Sequence, residues 1–502
     1  MRSHQAAQAV GLCFLLVGSA SAAEQVRPNI VLIIADDLGR GEPGCYGGDL
    51  PTPNIDSLAA AGIRFNAGYV TAPFCAASRA ALLTGRYQNR YGFEFNPIGA
   101  ANADPEVGLP LYETTLPDLL RLAGYSTALI GKWHLGGTAA FHPQRRGFDE
   151  FFGFLHEGHT YVPSPFEGHV TWLRRRRLPD GGVGRWTSPD GRMIWSTHLN
   201  SFEPDYDADN PILRSSQPVD ERENLTDAFT REAERFLERN RSQPFFLCLS
   251  YNAVHSPIQA RSDDLGKFAH IEDIHRRLFA SMLSHLDDGI GRVVHKLREL
   301  GIEENTLVVF LSDNGGPTRE LTSSNHPFRG QKGQLFEGGI RVPMIMKWPA
   351  RYPKGRVEER MVSALDLLPT ATAAAGLTGL QGLDGVDLTP ALSTDSTDEI
   401  HAGHYWRVGE SAAYRAGDWK ILCRFHEAGL PVWELFNLKD DPAESTNLAA
   451  KNPEQVDRLE RAWRVLNNRM IPPNWLQGGR RTTQDERDAA RHLFNAPQRM
   501  IP

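Results

Sequence analysis

The sequence predicts an α/β fold, with a mixed, largely parallel sheet flanked by helices and a smaller C-terminal α+β domain. Three observations carry this. Short, near-continuous apolar runs alternate with helical patterns, as buried parallel strands joined by crossover helices do. Several runs end in clustered polar residues, where open α/β sheets bind ligands. The chain has 502 residues, more than one core usually supports, so a second, smaller unit is expected.

Residues 1–23 have the three parts of a signal peptide: Arg2, the apolar run 10–17, and Ala20-Ser21-Ala22 as a small-residue cleavage site. A secreted or periplasmic mature protein is expected. The apolar run is too short to span a bilayer, and no later segment approaches the ~20 apolar residues a membrane helix needs, so no membrane insertion is expected.

The first strand is expected at 30–35. Helical patterns follow at 53–65, 79–83 and 116–123, then a strand at 127–130. The alternation resumes with a helix at 229–239, a strand at 245–250, a long helix at 277–300 and a strand at 307–311. Residues 156–221, rich in Gly, Pro, Trp and Arg and without clear periodicity, read as an elaborated loop region. Small and turn-forming residues at 376–396 mark a composition shift before strand-like pieces at 419–425 and 432–436. This divides the mature chain into a catalytic unit, 24–385, and a smaller domain with antiparallel strands and a tail, 386–502.

Composition narrows the function. Apolar residues make up 41% and charged residues 23%, ordinary for a globular enzyme. A net charge of −7 gives no reason to expect nucleic acid as a partner, so any recognition of anions must be local. Beyond the leader four cysteines remain, Cys45, Cys75, Cys248 and Cys423, too few and too scattered for a disulfide framework.

Four expected strands end in chemistry-bearing residues: Asp36 and Asp37, Lys132 and His134, Tyr251 to His255, and Asp313 and Asn314. The two acidic pairs offer oxygen ligands only, which suits a hard cation, Ca2+ or Mg2+. An isolated Asp-Asp would more often be a cap or turn, but two such pairs at equivalent strand ends favour a metal. Cys75 opens the stretch Cys75-Ala76-Ala77-Ser78-Arg79 just ahead of the helical run Ala80-Ala81-Leu82-Leu83, and a helix N-terminus beside the Arg79 guanidinium suits a tetrahedral oxyanion. The run Arg174-Arg175-Arg176-Arg177, among Trp172, Trp186 and Trp195, either lines a substrate entrance or is a solvated basic loop. Asn224-Leu225-Thr226 and Asn240-Arg241-Ser242 fit the glycosylation sequon.

Cys75-Ala76-Ala77-Ser78-Arg79 followed by Leu83-Thr84-Gly85-Arg86 resembles the signature of the formylglycine-dependent (type I) sulfatases of the alkaline-phosphatase superfamily. The likeness extends through Gly131-Lys132-Trp133-His134-Leu135-Gly136, Arg146-Gly147-Phe148-Asp149, Ser312-Asp313-Asn314-Gly315-Gly316 and Gly338-Gly339-Ile340-Arg341-Val342-Pro343, in the family's order. Ala77 stands where proline is frequent, with Ser78-Arg79 intact.

The resemblance implies an alkaline-phosphatase-like fold and hydrolysis of sulfate esters. It implies that a maturation enzyme oxidises Cys75 to formylglycine (3-oxoalanine), whose hydrated aldehyde supplies one hydroxyl to attack sulfur and a second to expel sulfate. Asp36, Asp37, Asp313 and Asn314 would hold the metal, Arg79 would steady the modified residue, and Lys132 and Lys332 would grip the sulfate. His134 would accept the proton when the aldehyde is regenerated, and His255 would donate one to the leaving alcohol. Similarity to carbohydrate sulfatases, through Gly85-Arg86-Tyr87-Gln88 and Arg146-Gly147-Phe148-Asp149, favours a sulfated carbohydrate as substrate. The alternatives are a phosphate or phosphonate ester hydrolase of the same superfamily and an inactive glycan-binding relative.

Overall fold

The computed structural model describes residues 27–423 and 432–488. The leader expected at 1–23 lies outside the described residues, as do parts of the 419–425 piece and of the tail.

The described chain opens with strand β1 (Asn29–Ala35), helix α1 (Pro53–Ala60), β2 (Ile63–Phe65), β3 (Gly68–Tyr69), α2 (Cys75–Thr84), α3 (Leu116–Leu122), β4 (Ser126–Lys132) and β5 (Glu150–Phe154). An insertion follows with β6 (His169–Arg174), β7 (Arg185–Thr187), β8 (Met193–Ser196), β9 (Leu213–Arg214) and β10 (Gln217–Pro218). Then come α4 (Leu225–Asn240), β11 (Phe245–Ser250), β12 (Ile258–Arg261), α5 (Ile274–Glu299), β13 (Thr306–Ser312), β14 (Met344–Lys347) and β15 (Arg356–Glu358).

Among the described residues, ten strands form one mixed sheet in the order β10-β9-β5-β4-β11-β1-β13-β14-β2-β15. Its centre, β5-β4-β11-β1-β13, is parallel throughout. The pleat sends alternate side chains of β1 into two cores: Val31 and Ile33 pack toward α4 and α5, while Ile30, Leu32 and Ile34 pack toward α2 and α3. A strand buried on both faces needs an unbroken apolar run, and that is what makes β1 legible in the sequence.

Two expectations need correction. The helical pattern expected at 53–65 ends at Ala60, and Ile63–Phe65 is instead a strand that pairs antiparallel with β14 and parallel with β15. The region 156–221 is not only loop, since β6, β7 and β8 join β12 in a separate four-stranded sheet and β9–β10 extends the main one. These strands are short, and a four-residue strand leaves too little alternation to be seen as periodicity.

A C-terminal antiparallel sheet is built from strands at His404–Val408, Ser411–Ala416, Trp419–Cys423 and Trp433–Asn437. One face packs on the helix Pro453–Asn467 through Tyr405, Ile421 and Trp463. The other meets the large unit through Trp406, Tyr69, Phe336 and Ile340. Among the described residues, no helix is long and apolar enough to cross a membrane.

Candidate active site

The site gathers at the carboxyl ends of β4, β11, β1 and β13, which are adjacent in the sheet. Parallel neighbours end on the same edge, so residues far apart in sequence become neighbours there. Asp36 and Asp37 follow β1, Asp313 and Asn314 follow β13, Lys132 closes β4, and His255 lies beyond β11. Asp37 and His134 both hold positive φ, 62° and 61°, a conformation that a non-glycine residue adopts at a cost and that recurs at functional sites. Gly131 is required where β4 turns into the site: its φ is 111°, and a Cβ there would lie 1.9 Å from Ser250 O.

Cys75 is the first residue of α2 and is buried, with Sγ 3.5 Å from Asp36 Oδ1 and 3.9 Å from Asp37 Oδ1. The first turn has no side-chain cap from Phe74; Asn96 Oδ1 accepts from Ala76 N at 2.9 Å instead. Arg79, one turn on, donates Nε to Asp313 Oδ2 at 2.8 Å and also binds Lys132 O and the Ser250 hydroxyl. That guanidinium ties α2 to three strand ends at once. Lys132 Nζ lies 2.5 Å from Asp36 Oδ2, and Lys332 Nζ lies 2.8 Å from Asp37 Oδ2.

The electrostatics follow from packing so many charges out of water. Burial, with Asp313 close by, pushes the Cys75 thiol well above its ordinary range, so the encoded cysteine stays protonated. Burial and the charge of Asp36 raise Asp313 to about 6. Asp37 runs the other way: burial alone would raise it, but Lys332 and His255 hold it near 2.

The two histidines are both neutral here, for related reasons. Burial and the Lys132 ammonium pull His134 well below its usual value. Its Nε2 faces Pro97 O at 3.0 Å and must donate to that carbonyl, which leaves the lone pair on Nδ1, buried and without a partner. This tautomer is poised to accept a proton. Burial and Lys332 bring His255 down to about 3, with Nε2 3.6 Å from Asp37 Oδ2.

Oxygen donors converge where a cation could sit. Ligand atoms of Asp36, Asp37 and Asp313, with Cys75 Sγ, lie within 4.8 Å of one another. Asn314 donates Nδ2 to Asp37 Oδ1 at 2.7 Å, while its Oδ1 is buried and meets no donor. A buried acceptor without a donor is costly unless something positive satisfies it. The donor set is hard and acidic, so it fits calcium or magnesium better than a soft metal.

All ten residues singled out in the sequence are thus brought into one site. Ser250, Asn96, Tyr161 and Tyr206 carry no motif in the sequence; Ser250 alone has a signal, as the polar residue closing the apolar strand β11 at the carboxyl edge of the sheet. Among the arginines, Arg174 pairs internally with Glu203 and Glu320, Arg175 lies over the Trp195 ring and Arg176 over Phe202. Of the four in the 174–177 run, only Arg176 and Arg177 are exposed. The sequon residues Asn224 and Asn240 are both 6% exposed and hold hydrogen bonds of their own, Asn224 as the cap of α4. The four described cysteines are free.

The sulfatase family model matches residues 28–377, and a model described as N-sulphoglucosamine sulphohydrolase, C-terminal, matches 328–468. The N-acetylgalactosamine-6-sulfatase of Canis lupus familiaris is 37% identical over 385 residues, 74% of this chain and 67% of that protein. The steryl-sulfatase of Mus musculus is 35% identical over 460 residues, 82% of this chain and 70% of that protein. The crystal structure of Ps i-CgsB in complex with k-i-k-neocarrahexaose superimposes with a TM-score of 0.77 at 34% identity, covering 94% of this chain and 98% of that one. The phosphonate monoester hydrolase of Agrobacterium radiobacter, at 19% identity and a TM-score of 0.59, shares the fold. With the family model spanning most of the chain and this site at the sheet edge, the protein belongs to the sulfatase family, sulfuric ester hydrolases on an alkaline-phosphatase-like fold.

Proposed function

We propose that this protein hydrolyses sulfate esters of a carbohydrate, using a formylglycine made from Cys75 and one divalent cation held by Asp36, Asp37, Asp313 and Asn314. The observation that carries the reading is the placement of Cys75 at the start of α2, within 4 Å of two carboxylates and ringed by Arg79, Lys132 and Lys332. A raised thiol pKa makes the unmodified cysteine a poor nucleophile, which supports a modified residue at this position. When bound, the cation would polarise the sulfate oxygens as a Lewis acid.

The chain's own residues divide the remaining work. Lys132 and Lys332 now neutralise Asp36 and Asp37; an anionic sulfate entering between them would share those ammonium groups. Arg79 fixes α2 against Asp313 and so orients residue 75. His134, with its lone pair on Nδ1, takes up a proton as the aldehyde is restored. Burial and the Lys332 charge keep His255 neutral against the opposing pull of Asp37; the negative charge of a bound sulfate favours its protonated form, which then donates to the leaving oxygen.

The carbohydrate reading is supported by the oligosaccharide named for the Ps i-CgsB complex and by the amino-sugar sulfatase relative. We place the catalytic unit at 24–385 and the smaller domain at 386–502, and we read residues 1–23 as an export signal for a secreted or periplasmic enzyme.

The test compares kcat/KM for matched aryl sulfate and aryl phosphate in the wild type and in Cys75→Ser. Sulfate is expected to be turned over far faster, and the serine variant, which cannot regenerate by aldehyde collapse, should stop after one turnover. A preference for phosphate, or undiminished multiple turnover by the serine variant, would overturn the reading.

A further inference from the structure

The turn after β11 that carries His255 is held largely from outside. His255 Nδ1 lies 2.7 Å from Ser256 O, so it donates there, and Nε2 is left to face the site. The hydroxyl of Tyr161 sits 2.7 Å from Asn252 O and 2.8 Å from His255 O, bracketing both ends of the turn. Tyr161 is itself fixed, 2% exposed, with its backbone N–H donating to Gln259 Oε1 at 2.6 Å.

A second tyrosine closes the other side. The Tyr206 ring meets the His255 imidazole edge-on, 5.9 Å between centroids and 74° between planes. Its hydroxyl lies 3.2 Å from Ser256 Oγ, which donates to Glu320 Oε1 at 3.1 Å. Arg174 then holds Glu320 at 2.7 Å and Glu203 at 2.9 Å. Tyr161, Arg174, Glu203 and Tyr206 all come from the insertion between β5 and α4.

We propose that Tyr161 and Tyr206 are positioning residues for His255, so that the insertion, besides shaping the approach to the site, sets the geometry of proton delivery to the leaving oxygen. The proposal rests on the reading of His255 as the general acid: a proton passes from Nε2 to the ester oxygen as the bond between that oxygen and sulfur breaks. Proton donation works only within hydrogen-bond reach of the accepting oxygen, and small displacements of such a group lose much of its effect. Removing the Tyr161 hydroxyl takes away the single O–H shared between these carbonyls, leaving Asn252 O with only the His255 backbone N–H at 2.8 Å, and loosens the imidazole.

A merely structural tyrosine and a positioning one differ in how their loss depends on the leaving group. A poor leaving group needs the proton more than a good one. We would measure kcat/KM for 4-nitrophenyl, phenyl and 4-methoxyphenyl sulfate with the holoenzyme and its His255→Ala, Tyr161→Phe and Tyr206→Phe variants. Tyr161→Phe is expected to lose about tenfold more on 4-methoxyphenyl sulfate than on 4-nitrophenyl sulfate, in the direction of His255→Ala. In the His255→Ala background it should add no further leaving-group dependence. Tyr206→Phe, which keeps the ring against His255, should show a weaker form of the same pattern and serves if Tyr161→Phe does not fold. If His255→Ala is selective while both tyrosine variants lose activity equally on all three esters, or lose none, the positioning role is wrong. If His255→Ala itself is unselective, the general-acid reading fails and this proposal fails with it.

Discussion

Asn314 donates its amide to Asp37 Oδ1 at 2.7 Å, and in doing so leaves its own Oδ1 buried with no donor to meet it. One residue thus organises a carboxylate and offers an unsatisfied oxygen beside it. A divalent cation is the simplest group that would satisfy both.

Calcium or magnesium is therefore expected to stabilise the metal-free protein. At a hundred times Kd, binding to the folded state alone contributes about 2.7 kcal/mol, visible as a rise in Tm. Asn314→Ala should shrink that rise, and chelation should abolish turnover of the wild type. A wild-type Tm indifferent to both ions, or an undiminished rise in Asn314→Ala, would count against the site.

The tryptic peptide spanning residues 65–79 from active enzyme is expected to be lighter than encoded and to react with carbonyl reagents. The buried, protonated thiol of Cys75 motivates this. Fully active protein carrying only an alkylatable thiol at position 75 would exclude the formylglycine mechanism.

The two lysines should separate in a mutant pair because they differ in burial. Lys132 is 1% exposed and pairs with a buried Asp36, so Lys132→Ala leaves that carboxylate with only the more distant Arg79 at 3.8 Å and should cost about 3–5 kcal/mol of stability as well as activity. Lys332 reaches in from a turn with 18% of its side chain exposed. Lys332→Ala should lower kcat/KM by about 10²–10³-fold with a smaller change in Tm. Denaturant titration beside kinetics checks both.

Glu444 accepts the Glu337 N–H at 2.7 Å and pairs with Lys420 at 2.8 Å, where the C-terminal sheet meets the large unit. Burial, offset only in part by Lys420 and reinforced by Glu337, raises its carboxyl from 4.5 to about 7. A carboxyl that holds its proton more tightly folded than unfolded contributes fully below about pH 4.5, and that contribution is lost as pH rises through 7. Glu444→Gln keeps an acceptor without the charge, so it should gain on the wild type by about 1–3 kcal/mol between roughly pH 5 and 8. A wild-type advantage growing with pH would contradict this.

Local pattern made much of the molecule legible. The apolar run of β1, the strand expected at 245–250 and found at Phe245–Ser250, and the long helix found at Ile274–Glu299 each bury enough of their own length to leave a clear periodicity. The motif around Cys75 told which residues to look for, because the proposed nucleophile, metal set and anion-binding cations must all be present as residue types. What the pattern could not show were the short edge strands, whose pairing with β14 is a long-range choice, and the sheet hidden in the insertion.

The sequence by itself determined the fold class and the family, and it named the ten residues proposed for the site, since these depend on residue type, order and local periodicity. Only the tertiary structure decided how those residues share charge: that Lys132 meets Asp36 and Lys332 meets Asp37, that Asp37 is held acidic while Asp313 is raised, and that His134 keeps its lone pair on Nδ1. It also decided that Arg174 serves an internal ion pair and that two tyrosines of the insertion grip the His255 turn. The physical reason is that burial, hydrogen-bond geometry and Coulomb interaction depend on distances across the fold, and separation along the chain does not encode them.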